Sequence, residues 1–243
     1  MAGHSKWANI RHRKGAQDAK RAKQFAKFSK EIMVAAAQGG ADLESNSALR
    51  LAVSKARAQS MPKKNIDSAI QKATGGGEGA NFKEISYGGN VAGVTMLVKY
   101  LSDNENRVSA DVQYLFNRAG GSVTGASAVS YVFDRTGVLE IPHSYGDEDT
   151  IMMQVLEAGA DDFESSDETY FAYTSPSSFS QVKENLEKEG ITDFKTAEVK
   201  YLPNNEVVLP VAKAEKVLSF IDKLEDEDDV QEVYHNLDPS SLD

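Results

Sequence analysis

Four glycines in five residues, Gly75-Gly76-Gly77-Glu78-Gly79, interrupt this chain. Glycine loses more backbone freedom on ordering than any other residue, so such a run continues neither a helix nor a strand. It reads as a hinge or linker and as the main domain boundary. It is not a phosphate-cradling loop. No Gly-Lys-Ser/Thr follows it, and the sequence before it is helical rather than strand-like.

Upstream, apolar residues recur at helical spacing. Phe25, Phe28, Ile32 and Ala35 form one stripe of a helix expected over 17–38, which Gly39-Gly40 stops. A second helix is expected over 45–60, with Leu49, Ala52, Val53 and Ala56 inward. Pro62 suits the first turn of a third helix, whose stripe is Ile66, Ala69, Ile70 and Ala73. Three amphipathic helices of this length make a small bundle. Residues 1–16 read as an extended basic arm.

Downstream the texture becomes α/β. Strands are expected over 82–87 and 91–101, joined around Gly88-Gly89-Asn90. A helix marked by Val108, Val112, Leu115 and Ala119 follows, capped by Asp103 or Asn104. A short strand at 130–133 and a turn at 134–137 come next. Strands at 138–141, 162–165, 169–173 and 194–202, with helices at 148–158 and 176–189, then run β-α-β-β-α-β, the split βαβ pattern. A strand near 207–209, a helix carrying Ala214, Val217, Leu218, Ile221 and Leu224, and a last strand at 230–234 would complete the unit begun at Phe82. The expected fold is therefore α+β and multidomain. A three-helix basic domain over 1–78 precedes two ferredoxin-like α/β domains, one inserted in the other. The discontinuous one covers 79–134 and 204–243, and the insert covers 135–203. Three domains in simple series is the alternative.

Charge follows the same division. Residues 1–72 hold 15 Lys/Arg against 5 Asp/Glu, which leaves 12 against 32 for residues 73–243 and a total of −10. A basic module on an acidic body points to a polyanionic partner, and nucleic acid is the commonest one. Lys20, Lys23, Lys27 and Lys30 lie roughly opposite Phe25 and Ile32 on the first helix, so one face can pack while the other presents ammonium groups. A solvated surface would also explain a lysine-rich face. The basic excess, however, extends through the arm (Lys6, Arg11, Arg13, Lys14) and over Arg57, Lys63 and Lys64. Lysines would contact phosphates as point charges, while Arg11, Arg13, Arg21 and Arg57 could bind them bidentately. Trp7 either staples the arm to the bundle or stacks on an unpaired base. His4 and His12 lie in the arm and could also contact phosphate.

Other chemistry finds little support. There is no cysteine, and neither the four histidines nor the carboxylates show metal-ligand spacing, so no metal or cofactor is expected. No nucleophile motif such as Gly-x-Ser-x-Gly occurs. No apolar run approaches a membrane span, and no membrane partner is expected. The arm mimics an organelle transit peptide but runs straight into a helix. The run Glu225-Asp226-Glu227-Asp228-Asp229 ends a predicted helix, where the dipole disfavours negative charge. It reads as a solvated loop or as a contact for a cation or a basic protein surface.

The opening Met1-Ala2-Gly3-His4-Ser5-Lys6-Trp7-Ala8-Asn9-Ile10, then His12-Arg13-Lys14, resembles the start of the YebC family. So do Lys55-Ala56-Arg57-Ala58, Met61-Pro62-Lys63-Lys64-Asn65-Ile66, Ser102-Asp103-Asn104-Glu105-Asn106-Arg107, Ser130-Tyr131-Val132-Phe133 and Asp228-Asp229-Val230-Gln231-Glu232-Val233-Tyr234-His235-Asn236. The matches run in order over essentially the whole chain. The resemblance implies three domains and a bacterial cytoplasmic protein. It implies either a regulator that binds promoter DNA or, as for the mitochondrial translational activator of cytochrome c oxidase, a ribosome-associated factor acting at proline-rich stalls. One departure is clear. The family's Tyr-Glu-Gly-Tyr-Gly-Pro-Gly-Gly is replaced by Tyr87-Gly88-Gly89-Asn90-Val91-Ala92-Gly93-Val94.

The expected function is thus a non-enzymatic, nucleic-acid-binding regulator of gene expression, with promoter DNA or ribosomal RNA as partner. A protein partner on the acidic domains is the second expected contact. A nucleic-acid-processing enzyme is the reading least supported.

Overall fold

The computed structural model describes residues 17–76 and 81–242. Its fold is α+β, a helical region followed by two four-stranded antiparallel sheets with their helices. Contacts divide it into two compact units. Among the described residues, one holds 17–133 together with 203–242, and the other holds 134–202.

The helical region consists of α1 (Gln17–Gly39), α2 (Ser47–Ala58) and α3 (Lys63–Gly76). Their apolar stripes make one core. Ile32, Ala35, Leu49, Ala52, Val53, Ala56, Ile66, Ala69 and Ala73 are buried, with Phe25 and Phe28 packed against them. Buried Asn46 sets the α1–α2 corner. Its Oδ1 accepts from the Leu49 N–H at 3.0 Å and its Nδ2 donates to the carbonyls of Ala35 and Gly40, both at 2.8 Å. One side chain thus caps the second helix and satisfies the end of the first, an arrangement in which the cap alone contributes about 1 kcal/mol.

The first sheet contains β1 (Lys83–Val91), β2 (Val94–Ser102), β3 (Ser122–Gly125) and β8 (Val230–His235), in the order β3-β1-β2-β8. Helices α4 (Glu105–Arg118) and α7 (Val211–Glu225) pack on it. Val94, Met96, Val98 and Tyr100 meet Val112, Phe116, Phe220 and Leu224 there, and the Phe116 and Phe220 rings stand edge-to-face at 4.9 Å. Asn104 caps α4 by accepting from the Arg107 N–H at 3.0 Å.

The hairpin differs from the expectation in where it turns. β1 runs straight through Gly88 and Gly89, and the reversal lies at Ala92 and Gly93, with φ of 55° and 92°. Two residues in the left-handed region form the turn whose twist suits a two-residue hairpin. Gly89 is needed for a close approach instead, since a Cβ there would sit 2.2 Å from the Phe116 ring.

The second sheet contains β4 (Phe133–Pro142), β5 (Asp162–Ser165), β6 (Thr169–Thr174) and β7 (Thr196–Pro203), in the order β5-β6-β4-β7. With α5 (Glu148–Glu157) and α6 (Phe179–Lys188) this is the split βαβ arrangement. Leu139, Ile141, Tyr170 and Ala172 pack against Ile151, Val155, Val182 and Leu186. The expected strand at 130–133 is a 3-10 turn, Ser130–Val132, leading into β4. The expected turn at 134–137 lies inside β4, where a Cβ on Gly137 would come within 2.2 Å of Thr174 Oγ1. The expected strand at 207–209 is reduced to one parallel bridge, Val207 with Leu237.

Candidate nucleic-acid interface

α1 presents Lys23, Lys27 and Lys30 at i, i+4 and i+7, a single line on the helix surface. The line is occupied by the turn that joins α7 to β8, which is the acidic run. Lys23 Nζ donates to the Asp226 carbonyl at 3.2 Å and pairs with its carboxylate at 3.3 Å. Lys27 Nζ donates to the Glu225 carbonyl at 2.7 Å. Lys30 Nζ donates to the Asp228 carbonyl at 2.9 Å and to Asp229 Oδ1 at 2.8 Å, and it lies over the Phe82 ring. Three ammonium groups therefore take up carbonyls at the C-terminal end of α7, where a cation is favoured by the helix dipole. They also offset the negative charge that the run places there.

The two ends of this line differ. The Lys23 and Asp226 side chains are 48% and 59% exposed, whereas those of Lys30 and Asp229 are 18% and 19% exposed. Between them, burial pulls the Lys27 ammonium below its ordinary range, against the attraction of Glu225 and Asp226. Asp229 is the most connected group. It also accepts from Ser102 Oγ at 2.8 Å and from Arg107 at 2.7 Å, and its own carbonyl accepts from the Leu101 N–H. Burial pushes its carboxyl up, but the hydrogen bonds from Lys30, Arg107 and Ser102 prevail and hold it below the usual carboxylate range.

The corner between α2 and α3 is arranged differently. Arg57 is exposed in the last turn of α2, and Lys63 and Lys64 are exposed in the first turn of α3. Buried Met61 anchors the connection, and its N–H donates to the Ala56 carbonyl at 2.9 Å. Two lysines at a helix N-terminus oppose the helix dipole. Among the described residues, no carboxylate pairs with Arg57, Lys63 or Lys64 to relieve that cost. Nearby cations are employed structurally instead. Arg50 donates to the carbonyls of Leu43 and Glu44, and Lys55 pairs with Glu31 at 3.1 Å. The free corner is suited to an oxyanion, with two point charges and one guanidinium able to bind in a forked geometry.

The expected arm contacts, Lys6, Trp7, Arg11, His12, Arg13 and Lys14, lie outside the described residues, as do the side chains of Lys20 and Arg21. Sequence reasoning missed Glu140, a fully buried carboxylate on β4 that accepts from Thr169 Oγ1 at 3.2 Å and Thr196 Oγ1 at 2.8 Å. No motif marks it, because its partners come from two other strands. Of the later histidines, the His143 ring packs on Tyr170 at 4.3 Å and His235 Nδ1 accepts from the Leu237 N–H. Among the described residues no group of His, Asp or Glu is arranged to hold a metal ion, and no helix is long and apolar enough to cross a membrane.

Two family models match the chain. Residues 5–76 match the TACO1/YebC protein N-terminal domain, and residues 82–237 match the TACO1/YebC second and third domain. A probable transcriptional regulatory protein of Mesomycoplasma hyopneumoniae (strain 232) is 51% identical over 239 residues, which is 98% of this chain and 99% of that protein. A protein of the same description from a Geobacillus species is 49% identical over 245 residues, covering 100% of this chain and 99% of its own. Among solved structures, a conserved hypothetical protein from Aquifex aeolicus superimposes with a TM-score of 0.82 at 37% identity, over 96% of this chain and 97% of that one.

Proposed function

Because the chain belongs to the TACO1/YebC family, we propose that it is a non-enzymatic regulator of gene expression that binds promoter DNA through its basic helical region. The observation that carries this is the corner of Arg57, Lys63 and Lys64. Positive charge is held there at a helix N-terminus with no carboxylate among the described residues to balance it, and a phosphate backbone would supply that anion. The segment that precedes α1 in the sequence is basic as well, which supports the same reading. The description shared by the relatives supports transcription as the process. A bacterial cytoplasmic setting is part of this reading.

Crosslinking in cells, followed by parallel sequencing of bound DNA and bound RNA, tests it. Enrichment at promoters is the expected result. Enrichment on ribosomal RNA would transfer the same basic surface to a translational role. Recovery of neither nucleic acid above background would overturn the proposal.

A further inference from the structure

We propose that the Glu225–Asp229 turn is an internal competitor for the lysine row of α1, so that a nucleic-acid backbone engaging Lys23, Lys27 and Lys30 must first displace it. The inference rests on the nucleic-acid reading above and adds a form of regulation to it. The row already grips a set of oxygens. Its partners include the carbonyls of Glu225, Asp226 and Asp228 and the carboxylates of Asp226 and Asp229. A chain of phosphates offers the same kind of acceptor with a larger charge. The three lysines follow one another by four and three residues, a row about 10 Å long at 1.5 Å per residue. Such a row can follow a backbone once the turn has left.

The clasp has a loose end and a tight end. The exposed Lys23–Asp226 pair is open to water and salt, while the Lys30–Asp229 pair is shielded and shared with Arg107 and Ser102. Screening acts strongly on the first and weakly on the second. Opening therefore starts at Lys23. The acidic run thereby sets a threshold. Weak or short polyanions leave the clasp closed, and a long backbone opens it.

The chain has no cysteine, so dyes can be placed at will. Full-length protein carrying Ser68→Cys on α3 and Ser219→Cys on α7, both exposed, reports the separation of the two elements by energy transfer. Binding is followed separately by anisotropy. Duplex DNA and inorganic polyphosphate should each lengthen the separation as they bind. Adding Glu225→Gln and Asp226→Asn should lower the polyanion midpoint about two- to fivefold. Binding without any change in separation, or midpoints unmoved by these substitutions, would sink the competitor and leave the nucleic-acid reading intact. If neither polyanion binds, the nucleic-acid reading fails, and a sodium chloride titration still decides the clasp. A separation that grows between 0.05 and 1 M supports an electrostatic latch, and a constant one refutes it.

Discussion

Gly89 and Tyr100 show how single positions in the first sheet carry opposite strains. A Cβ at Gly89 would lie 2.2 Å from the Phe116 ring, which is itself locked edge-to-face against Phe220. Neither ring can withdraw without repacking the core. Gly89→Ala should therefore destabilise the protein by about 3 kcal/mol, the upper part of the overpacking range. Urea unfolding measures this directly. Tyr100 is the converse case. Its hydroxyl is buried with no hydrogen-bond partner among the described residues, and burial raises its pKa further out of reach. An unsatisfied buried hydroxyl costs about 1–3 kcal/mol. Tyr100→Phe keeps the ring and removes the hydroxyl, so a gain of about 1 kcal/mol is expected in the same assay. Loss of stability would mean that the hydroxyl is satisfied by solvent.

Among elements, the α7–β8 turn does more than reverse the chain. Asp229 ties α1, β2 and α4 together through Lys30, Ser102 and Arg107. Its carboxyl is depressed below the unfolded value near about 4. The sign follows from linkage. A depressed carboxyl adds stability that is fully present above the unfolded pKa and is lost as pH falls through the folded one. Asp229→Asn should thus be destabilising at pH 7, with the gap to wild type shrinking at pH 3. Unfolding at the two pH values checks this, and an unchanged gap would show that the ionised form is not what matters. Element identity was largely legible in the sequence. The stripe Leu49, Ala52, Val53 and Ala56 is buried as its spacing requires, because period alone sets the face of a helix. The strand ends were less so. Gly88-Gly89 and Gly137 look like turn signals, and only the rings and hydroxyls packed against them from other elements reveal them as strand positions.

For the whole molecule, affinity for nucleic acid should depend on ionic strength through the counterions released per neutralised phosphate. Lys63 and Lys64 are exposed and, among the described residues, have no carboxylate partner, so each is free to neutralise one phosphate. Lys63→Gln with Lys64→Gln should reduce the slope of log K against log salt by about 2 and weaken binding to all sequences alike. Anisotropy titrations at several salt concentrations measure both effects. An unchanged slope would remove the α2–α3 corner from the interface. The lysine row should behave differently, since its charges are already partnered by the acidic run, and neutralising it alters the clasp as well as the contact.

The sequence by itself determined the segregation of charge, the amphipathic helices before residue 76 and the α/β character of the remainder. These follow from composition and from short-range periodicity, which act within one or two turns of chain. Only the tertiary structure decided which cations remain available. Lys27 meets a carbonyl 198 residues further along the chain, while Lys63 and Lys64 meet none of the described carboxylates. Both kinds of lysine look alike in a linear sequence. What separates them is a pairing between distant segments, which packing creates and no local pattern records.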